Sequence, residues 1–565
     1  MLSGAEILWE CLVREGVELV FGYPGAAVLP LYDALPRSPV RHVLTRHEQG
    51  AAHMADGYAR ASGRVGVALA TSGPGATNLT TGIATAMRDS IPCVFITGQV
   101  SSNLLHSDAF QEVDTIALTQ SITKYNARVT DVRELEPTLR RAFALARSGR
   151  PGPVHVDVCR DAQTTRAPLA WPSPSASTPE AAAPALDARA IERAAELIDR
   201  ARRPVILAGQ GAIASGATAT LRAFAEKAQI PAATTLLGIG GFPGRHPLCL
   251  GMMGMHGQAC ANHAIQRADL LLAFGMRFSD RVTGKLEIYA PQARRVHVDI
   301  DPREIGRKVG VDVGIVGDLR EVLERLDAGV RAQRREAWLA EIDGWREDAR
   351  RRDILSQGDD GRLHAPHAIH ALWQATRGEA IVVTDVGQHQ MWTAQYYPHE
   401  RPRHFITSGG LGTMGFGLPA AIGAKLACPH AEVWLVAGDG GFQMTQSELG
   451  TLVQEGLDVK IAIINNGFLG MVRQWQELFY ERRYTATPMR SPDFVALAAA
   501  YGIPAQRVAR RAEIAPAIEA ARASAGAALV EFRVEPEGLV YPMVPAGGAL
   551  DAMLRRPRAD EAVAV

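Results

Sequence analysis

Short apolar runs separated by helix-length amphipathic stretches recur along the whole chain. In the first third, Val65–Thr71, Cys93–Thr97 and Val154–Val158 are continuous apolar runs bounded by turn residues. Such runs read as strands covered on both faces, and their alternation with helical periodicity predicts β-α-β units around a parallel sheet. The same alternation returns twice. Pro204–Ala208, Leu270–Phe274 and Arg295–Asp299 mark a second block, and Ala380–Asp385, Val433–Ala437, Lys460–Ile464 and Ala528–Phe532 a third. The expected architecture is therefore α/β, with three doubly wound parallel-sheet domains over residues 1–162, 188–326 and 364–535. Residues 163–187, rich in Pro, Ala and Ser, read as a linker. Residues 327–363 read as a charged connector containing a solvated helix, and 536–565 as a short tail.

Composition narrows the function classes. The chain has 565 residues, with 60 Lys and Arg against 60 Asp and Glu. That balance argues against nucleic acid as a partner. No apolar run approaches the roughly 18 residues of a membrane span, so no membrane partner is expected. The first residues lack the pattern of a signal or transit peptide, and the six cysteines show no C-x-x-C spacing. The expected setting is cytoplasmic.

The most informative stretch runs from Val433 to Met471. One apolar strand ends in Gly438-Asp439-Gly440, a helical pattern over Thr445–Gln454 follows, and a second strand ends in Asn465-Asn466. A strand-helix-strand crossover brings both strand ends to one sheet edge. Asp439 and Asn466 should therefore converge as a hard, oxygen-only donor pair suited to Mg²⁺. The adjacent glycines would let backbone approach a phosphate closely. Taken alone, Gly-Asp-Gly would be an ordinary turn; the two strand ends at this spacing favour the metal reading. Glycine-rich loops at Thr71–Gly75 and Ser408–Gly412 hint weakly that the two outer blocks are related.

These motifs resemble the thiamine-diphosphate (ThDP) signature of the decarboxylase and acetolactate synthase superfamily. The resemblance is closest to the catalytic subunits of the acetolactate (acetohydroxyacid) synthase family, through FGYPGAAVLPLYDAL, RHEQGAAHMADGYARASG, TSGPGATN, DAFQEVD, LGMMGMHG, RFSDRVTGK, SGGLGTMGFGLPAAIGA and INNGFLGMVRQWQELFY. It implies an N-terminal pyrimidine-binding domain, a central FAD-binding domain and a C-terminal diphosphate-binding domain. It implies Asp439, Asn466 and the carbonyl of Phe468 as Mg²⁺ ligands. Glu48 would be the buried acid at the aminopyrimidine ring; read alone, a Glu in a first helical turn more often compensates the helix dipole. Val386, Gly387, Gln388, His389, Gly412, Gly438, Gly440 and Gly441 would line ThDP, with Met414 wedged between its rings. Gln111, Phe110 and Gly25 would face the reacting centre. Arg281 and Trp475 would shape the pocket for the second ketoacid; read alone, they are a surface ion pair and a buried aromatic. FAD, in a structural role, would contact Arg150, Gly211, Thr235, Met253, Gly254, Met255, His256, Gly275, Arg277, Phe278, Asp299 and Asp318.

The activity so implied is decarboxylation of pyruvate and ligation of its two-carbon unit to pyruvate or 2-ketobutyrate, in branched-chain amino acid biosynthesis. Because Glu48 and Asp439 lie in different outer domains, the site is expected where two subunits meet, in a homodimer or tetramer. A separate small regulatory subunit is a further candidate partner. The alternatives are a pyruvate oxidase-type flavin enzyme, another ThDP-dependent 2-ketoacid decarboxylase, or a non-catalytic homologue. Ala26, Ser279 and Cys159-Arg160 depart from the usual family pattern and bear on ligand preference more than on the core chemistry.

Overall fold

The structure, a computed structural model, describes residues 1–169, 171 and 185–558. Three six-stranded sheets, parallel throughout, carry helices on their faces. The central strands Gly66–Ala70, Leu270–Phe274 and Val459–Asn465 are buried along their whole length. This is why those segments are uniformly apolar and do not alternate.

Strand order relates the outer domains. With the six strands of each sheet numbered in chain order, both outer sheets run 2-1-3-4-6-5. The middle sheet runs 3-2-1-4-5-6, the dinucleotide-binding order whose switch point lies between its first and fourth strands. The weak hint from the two glycine-rich loops thus has a topological counterpart.

The two outer domains pack through equivalent helices, Glu48–Ser62 and Gly417–Ala427, each following the second strand of its sheet. Small residues permit a close crossing. A Cβ on Gly57 would lie 2.6 Å from Ala420 Cα and nearer still to its carbonyl oxygen, and one on Gly423 would lie 2.8 Å from the Met54 carbonyl carbon. Beside this crossing, Arg60 is buried between Asp56 and Asp89 at 2.5 and 2.8 Å, and its Nη1 donates to the Thr407 carbonyl at 2.8 Å. Asp89 in turn accepts the backbone N–H groups of Gly409 and Gly410 at 3.1 and 2.6 Å. A first-domain carboxylate therefore holds the third-domain glycine-rich loop.

The connecting segments are more structured than expected. The reading of 163–187 as a linker meets a helix at Arg160–Thr164 and a strand Arg166–Ala167 that pairs antiparallel with Leu2–Ser3; residues 170 and 172–184 of it lie outside the described residues. Within 327–363, the helix Glu336–Arg351 exists, yet it buries Trp338 and Ile342 against the middle domain. Trp338 Nε1 donates to the Pro204 carbonyl at 3.1 Å. The tail also joins that core through Val544, Leu550 and Met553. Charge on the outer face of the helix masks the apolar stripe that anchors it.

Candidate active site

At the edge of the third sheet, Val433–Gly438 and Val459–Asn465 pair in parallel with Gly438 opposite Ile464. Asp439 and Asn466 therefore leave neighbouring strand ends side by side. Asp439 is the first residue of a helix, Asp439–Thr445, so that helix begins earlier than the pattern over Thr445–Gln454 suggests. The carboxylate is buried, and loss of hydration pushes its pKa above the usual carboxylate range. Ser491 donates to its Oδ2 at 2.8 Å. Asn466 Nδ2 donates to Gln388 Oε1 at 3.1 Å, and its Oδ1 accepts the Phe468 N–H at 3.1 Å. The Phe468 ring lies against the buried guanidinium of Arg473, 5.4 Å from its centroid.

A pocket opens between these groups, lined by Val386, Gly387, Gln388, His389, Met414, Gly438, Asp439, Gly440, Gly441, Asn466 and Phe468. Eleven sequence-assigned residues thus share one concavity, joined by Trp392, Ile464 and Leu469–Val472. Gly412 does not line it; it sits behind, with φ +75°, next to Val386. His389 is buried and neutral, its pKa lowered to about 4 by desolvation. Its Nε2 has no hydrogen-bond partner among the described residues. A Cβ on Gly438 would lie 2.8 Å from the His389 ring, and one on Gly440 would lie 2.9 Å from Leu469 and 3.1 Å from Met489. This is a tight polar cradle with one unsatisfied nitrogen and one carboxylate. It suits an anion held through a divalent cation: Asp439, the Asn466 amide oxygen and a backbone carbonyl form the oxygen donor set that Mg²⁺ prefers. Among the described residues, no cluster of three or more His, Cys, Asp or Glu forms a metal site. A centre with one carboxylate is consistent with that.

Sequence reasoning missed the groups that hold this pocket in shape. Asp385, fully buried, accepts the N–H groups of Val386, Gly415 and Gly417 at 2.8, 3.1 and 2.8 Å and so ties the strand end to the loop carrying Met414. Its place at the end of an apolar strand was a usable signal. Ser491 lies 52 residues beyond Asp439, in no motif, and offered none.

The first domain presents a second cluster at the C-terminal edge of its sheet. Glu48 opens the helix Glu48–Ser62, is 9% exposed and accepts Asn78 Nδ2 at 2.9 Å. Gly25 packs on Thr71, and Gly73, with φ +58°, packs on Gln111, itself at φ +60°. Phe110 beside it is 85% exposed. None of these residues lines the Asp439 pocket. The N-terminal end of the Glu48 helix instead meets Glu448, which accepts the N–H groups of Arg46 and His47, each at 3.1 Å.

The proposed flavin residues gather at the C-terminal edge of the middle sheet, at its switch point. The backbones of Gly211 and Gly275 touch, so that a Cβ on Gly211 would lie 2.6 Å from Gly275 Cα. Thr235, Met253, Gly254, Met255, His256, Arg277 and Asp299 follow or end the neighbouring strands. Arg150 reaches this edge from the first domain and pairs with Glu304 at 3.1 Å. Two residues have other uses here. Asp318 caps the helix Leu319–Gly329 by accepting Arg320 and Glu321 N–H groups, and Phe278 is buried edge-on against Tyr289 and His297. Arg281 pairs with Asp280 at 3.1 Å beside a cavity of about 100 Å³ shared with Met255 and the tail. Trp475 lies on the helix Gly470–Phe479 against Phe479, outside the Asp439 pocket.

Comparison with known proteins finds the same three-domain architecture. Three thiamine pyrophosphate enzyme domain models match: the N-terminal TPP binding domain over residues 2–118, the central domain over 191–326 and the C-terminal TPP binding domain over 385–532. The chain is 48% identical to the acetolactate synthase large subunit of Corynebacterium glutamicum, covering 97% of this chain and 89% of that one. It is 45% identical to a probable acetolactate synthase large subunit of Methanocaldococcus jannaschii, over 99% and 98%. An acetolactate synthase of Mycobacterium bovis is 47% identical, over 97% and 91%.

Proposed function

We propose a function from one premise: this chain belongs to the thiamine pyrophosphate enzymes, among the acetolactate synthase large subunits. It decarboxylates pyruvate and joins the remaining two-carbon unit to a second 2-ketoacid. With pyruvate as acceptor the product is 2-acetolactate; with 2-ketobutyrate it is 2-aceto-2-hydroxybutyrate. The observation that carries this reading is the Asp439–Asn466 pocket, in which a buried carboxylate, an amide oxygen and an unsatisfied imidazole nitrogen meet on glycine backbone.

ThDP would supply, when bound, the electron sink that takes up the electron pair left on carbon by loss of CO₂. Asp439, Asn466 and the Phe468 carbonyl would hold Mg²⁺ at its diphosphate, with Ser491 fixing the Asp439 carboxylate. His389 and Gln388 would add polar contacts along the same wall, and Met414 an apolar one. Glu48 would hold a proton at the pyrimidine ring, oriented by Asn78. Gln111 and Gly25 would face the reacting carbon, and Phe110 would keep water from it. Arg281 would meet the acceptor carboxylate, a task for which a guanidinium is well shaped. FAD would lie along the middle-sheet edge, between Gly211, Gly275 and Asp299.

The complete site needs two copies of the chain. Glu48 and Asp439 occupy the edges of different sheets, and no first-domain residue lines the Asp439 pocket. A second copy placing its Glu48 opposite Asp439 would complete the pocket and cover Phe110 and Met444, which are 85% and 58% exposed. A separate regulatory subunit is a further partner to test.

The deciding experiment is a product assay on purified protein with pyruvate and 2-ketobutyrate, omitting ThDP, Mg²⁺ and FAD in turn. The reading predicts ligated products that require ThDP and Mg²⁺. Acetyl phosphate or acetate, with stoichiometric flavin bleaching under anaerobic conditions, would replace it with an oxidase.

A further inference from the structure

A cavity of about 360 Å³ lies where four parts of the chain meet: the edge strand Cys249–Met252, the helix Glu336–Arg351, residues 394–399 and the C-terminal stretch 541–556. None of the residues assigned above to ThDP, Mg²⁺, FAD or ketoacid lines it. It is far larger than the pocket at Asp439, which measures about 60 Å³, and it falls within the usual range of small-molecule sites.

Its inner wall carries polar atoms without partners. His399 is 2% exposed, and neither ring nitrogen has a hydrogen-bond partner among the described residues. The ring is fixed between Tyr397 and Phe405, with centroids 4.7 Å away on each side. Gln395 spends its amide N–H groups on the carbonyls of His256 and Tyr541, at 2.8 and 3.1 Å, and its buried Oε1 has no donor. A neutral imidazole offers one donor and one acceptor, and the Gln395 oxygen a further acceptor. Three such groups left unpaired on one wall call for a ligand with a polar edge.

The mouth carries the opposite chemistry. Five arginines line the cavity against one carboxylate, Asp353. Carboxylates outside the lining already pair with four of these arginines, Asp343 with Arg346, Glu347 with Arg350, and Asp348 with Arg352 and Arg555. Arg556 lies over the Tyr541 ring at 5.4 Å, and among the described residues no carboxylate reaches it within ion-pair distance. Guanidinium groups of this kind match phosphate oxygens. A small inorganic anion would leave His399 and Gln395 unpaired and the apolar wall of Leu250 and Met252 wet. An aliphatic anion would not satisfy the two polar groups either.

We propose that this cavity binds a nucleoside phosphate, with its base edge on His399 and Gln395 and its phosphate on Arg556. The proposal does not depend on the carboligation reading. The test is calorimetric titration of the protein saturated with ThDP, Mg²⁺ and FAD, using AMP and ADP, with adenosine and inorganic phosphate as separate arms. One nucleotide per chain is expected, bound about tenfold or more tightly than either fragment. Arg556→Gln and His399→Phe should each weaken it by about tenfold, with the carboligation rate in the absence of nucleotide unchanged. Absence of binding at about 1 mM, equal binding of phosphate alone, displacement by excess FAD, or unaltered affinity in Arg556→Gln would each overturn the proposal. Arg556 is partly exposed, so that variant remains decisive if His399→Phe fails to fold.

Discussion

Arg60→Met tests whether the buried charge cluster at the domain crossing orders the cofactor loop. Arg60 is 8% exposed, and the two carboxylates it joins are 0% exposed. The substitution keeps most of the side-chain volume but leaves Asp56 and Asp89 facing each other without a cation. Removing one partner of such a buried pair costs about 3–5 kcal/mol. For a cooperative unit of domain size this lowers the melting temperature by on the order of 10 °C. The cost must depend on pH. Desolvation already holds the Asp56 pKa above its ordinary value even with Arg60 beside it. A carboxylate with a raised folded-state pKa is tolerated when protonated, so its penalty grows as pH rises past the unfolded-state value of about 3.9. The difference in melting temperature between parent and variant should therefore be smaller near pH 5 than near pH 8. Asp89 also holds Gly409 and Gly410, so the variant should bind ThDP more weakly by fluorescence titration. Adding Asp89→Asn to Arg60→Met should recover part of the thermal loss. Melting within a degree of the parent at pH 8, with unchanged ThDP affinity, would refute the reasoning.

Glu48→Gln should lower the carboligation rate by about 10²–10⁴-fold while leaving the melting temperature unchanged, because glutamine can still accept from Asn78; retention of more than a tenth of the rate would remove Glu48 from the mechanism. Ser491→Ala frees the Asp439 carboxylate and should raise the Mg²⁺ concentration for half-activation by about 10–100-fold, with saturated activity largely restored; an unchanged Mg²⁺ titration would show that Asp439 is oriented by other groups. Gly57→Ala gains about 1 kcal/mol of helix propensity but places a Cβ within 2.6 Å of Ala420 Cα. Overpacking of about 1–3 kcal/mol should win, so a melting temperature at or above that of the parent would contradict the geometry of the crossing.

Central strands were legible because burial on both faces demands an unbroken apolar run, and local sequence records that demand. Val65–Thr71, Cys93–Thr97 and Lys460–Ile464 overlap the observed Gly66–Ala70, Cys93–Gln99 and Val459–Asn465. Edge strands such as Tyr125–Val129, Phe405–Ile406 and Ala505–Val508 were not, since half-buried or very short segments carry no such run. The Asp439–Asn466 pair was readable because a right-handed crossover of one helix leaves no other place for the two strand ends. Its supporting residue Ser491 was not, because a loop 52 residues away meets Asp439 only after the third domain has closed. The common strand order of the outer sheets and the Gly57–Gly423 crossing belong to the tertiary structure alone. Strand order depends on pairings between residues tens of positions apart and the crossing on residues hundreds apart, and short-range pattern and propensity carry no information about which distant surfaces will meet.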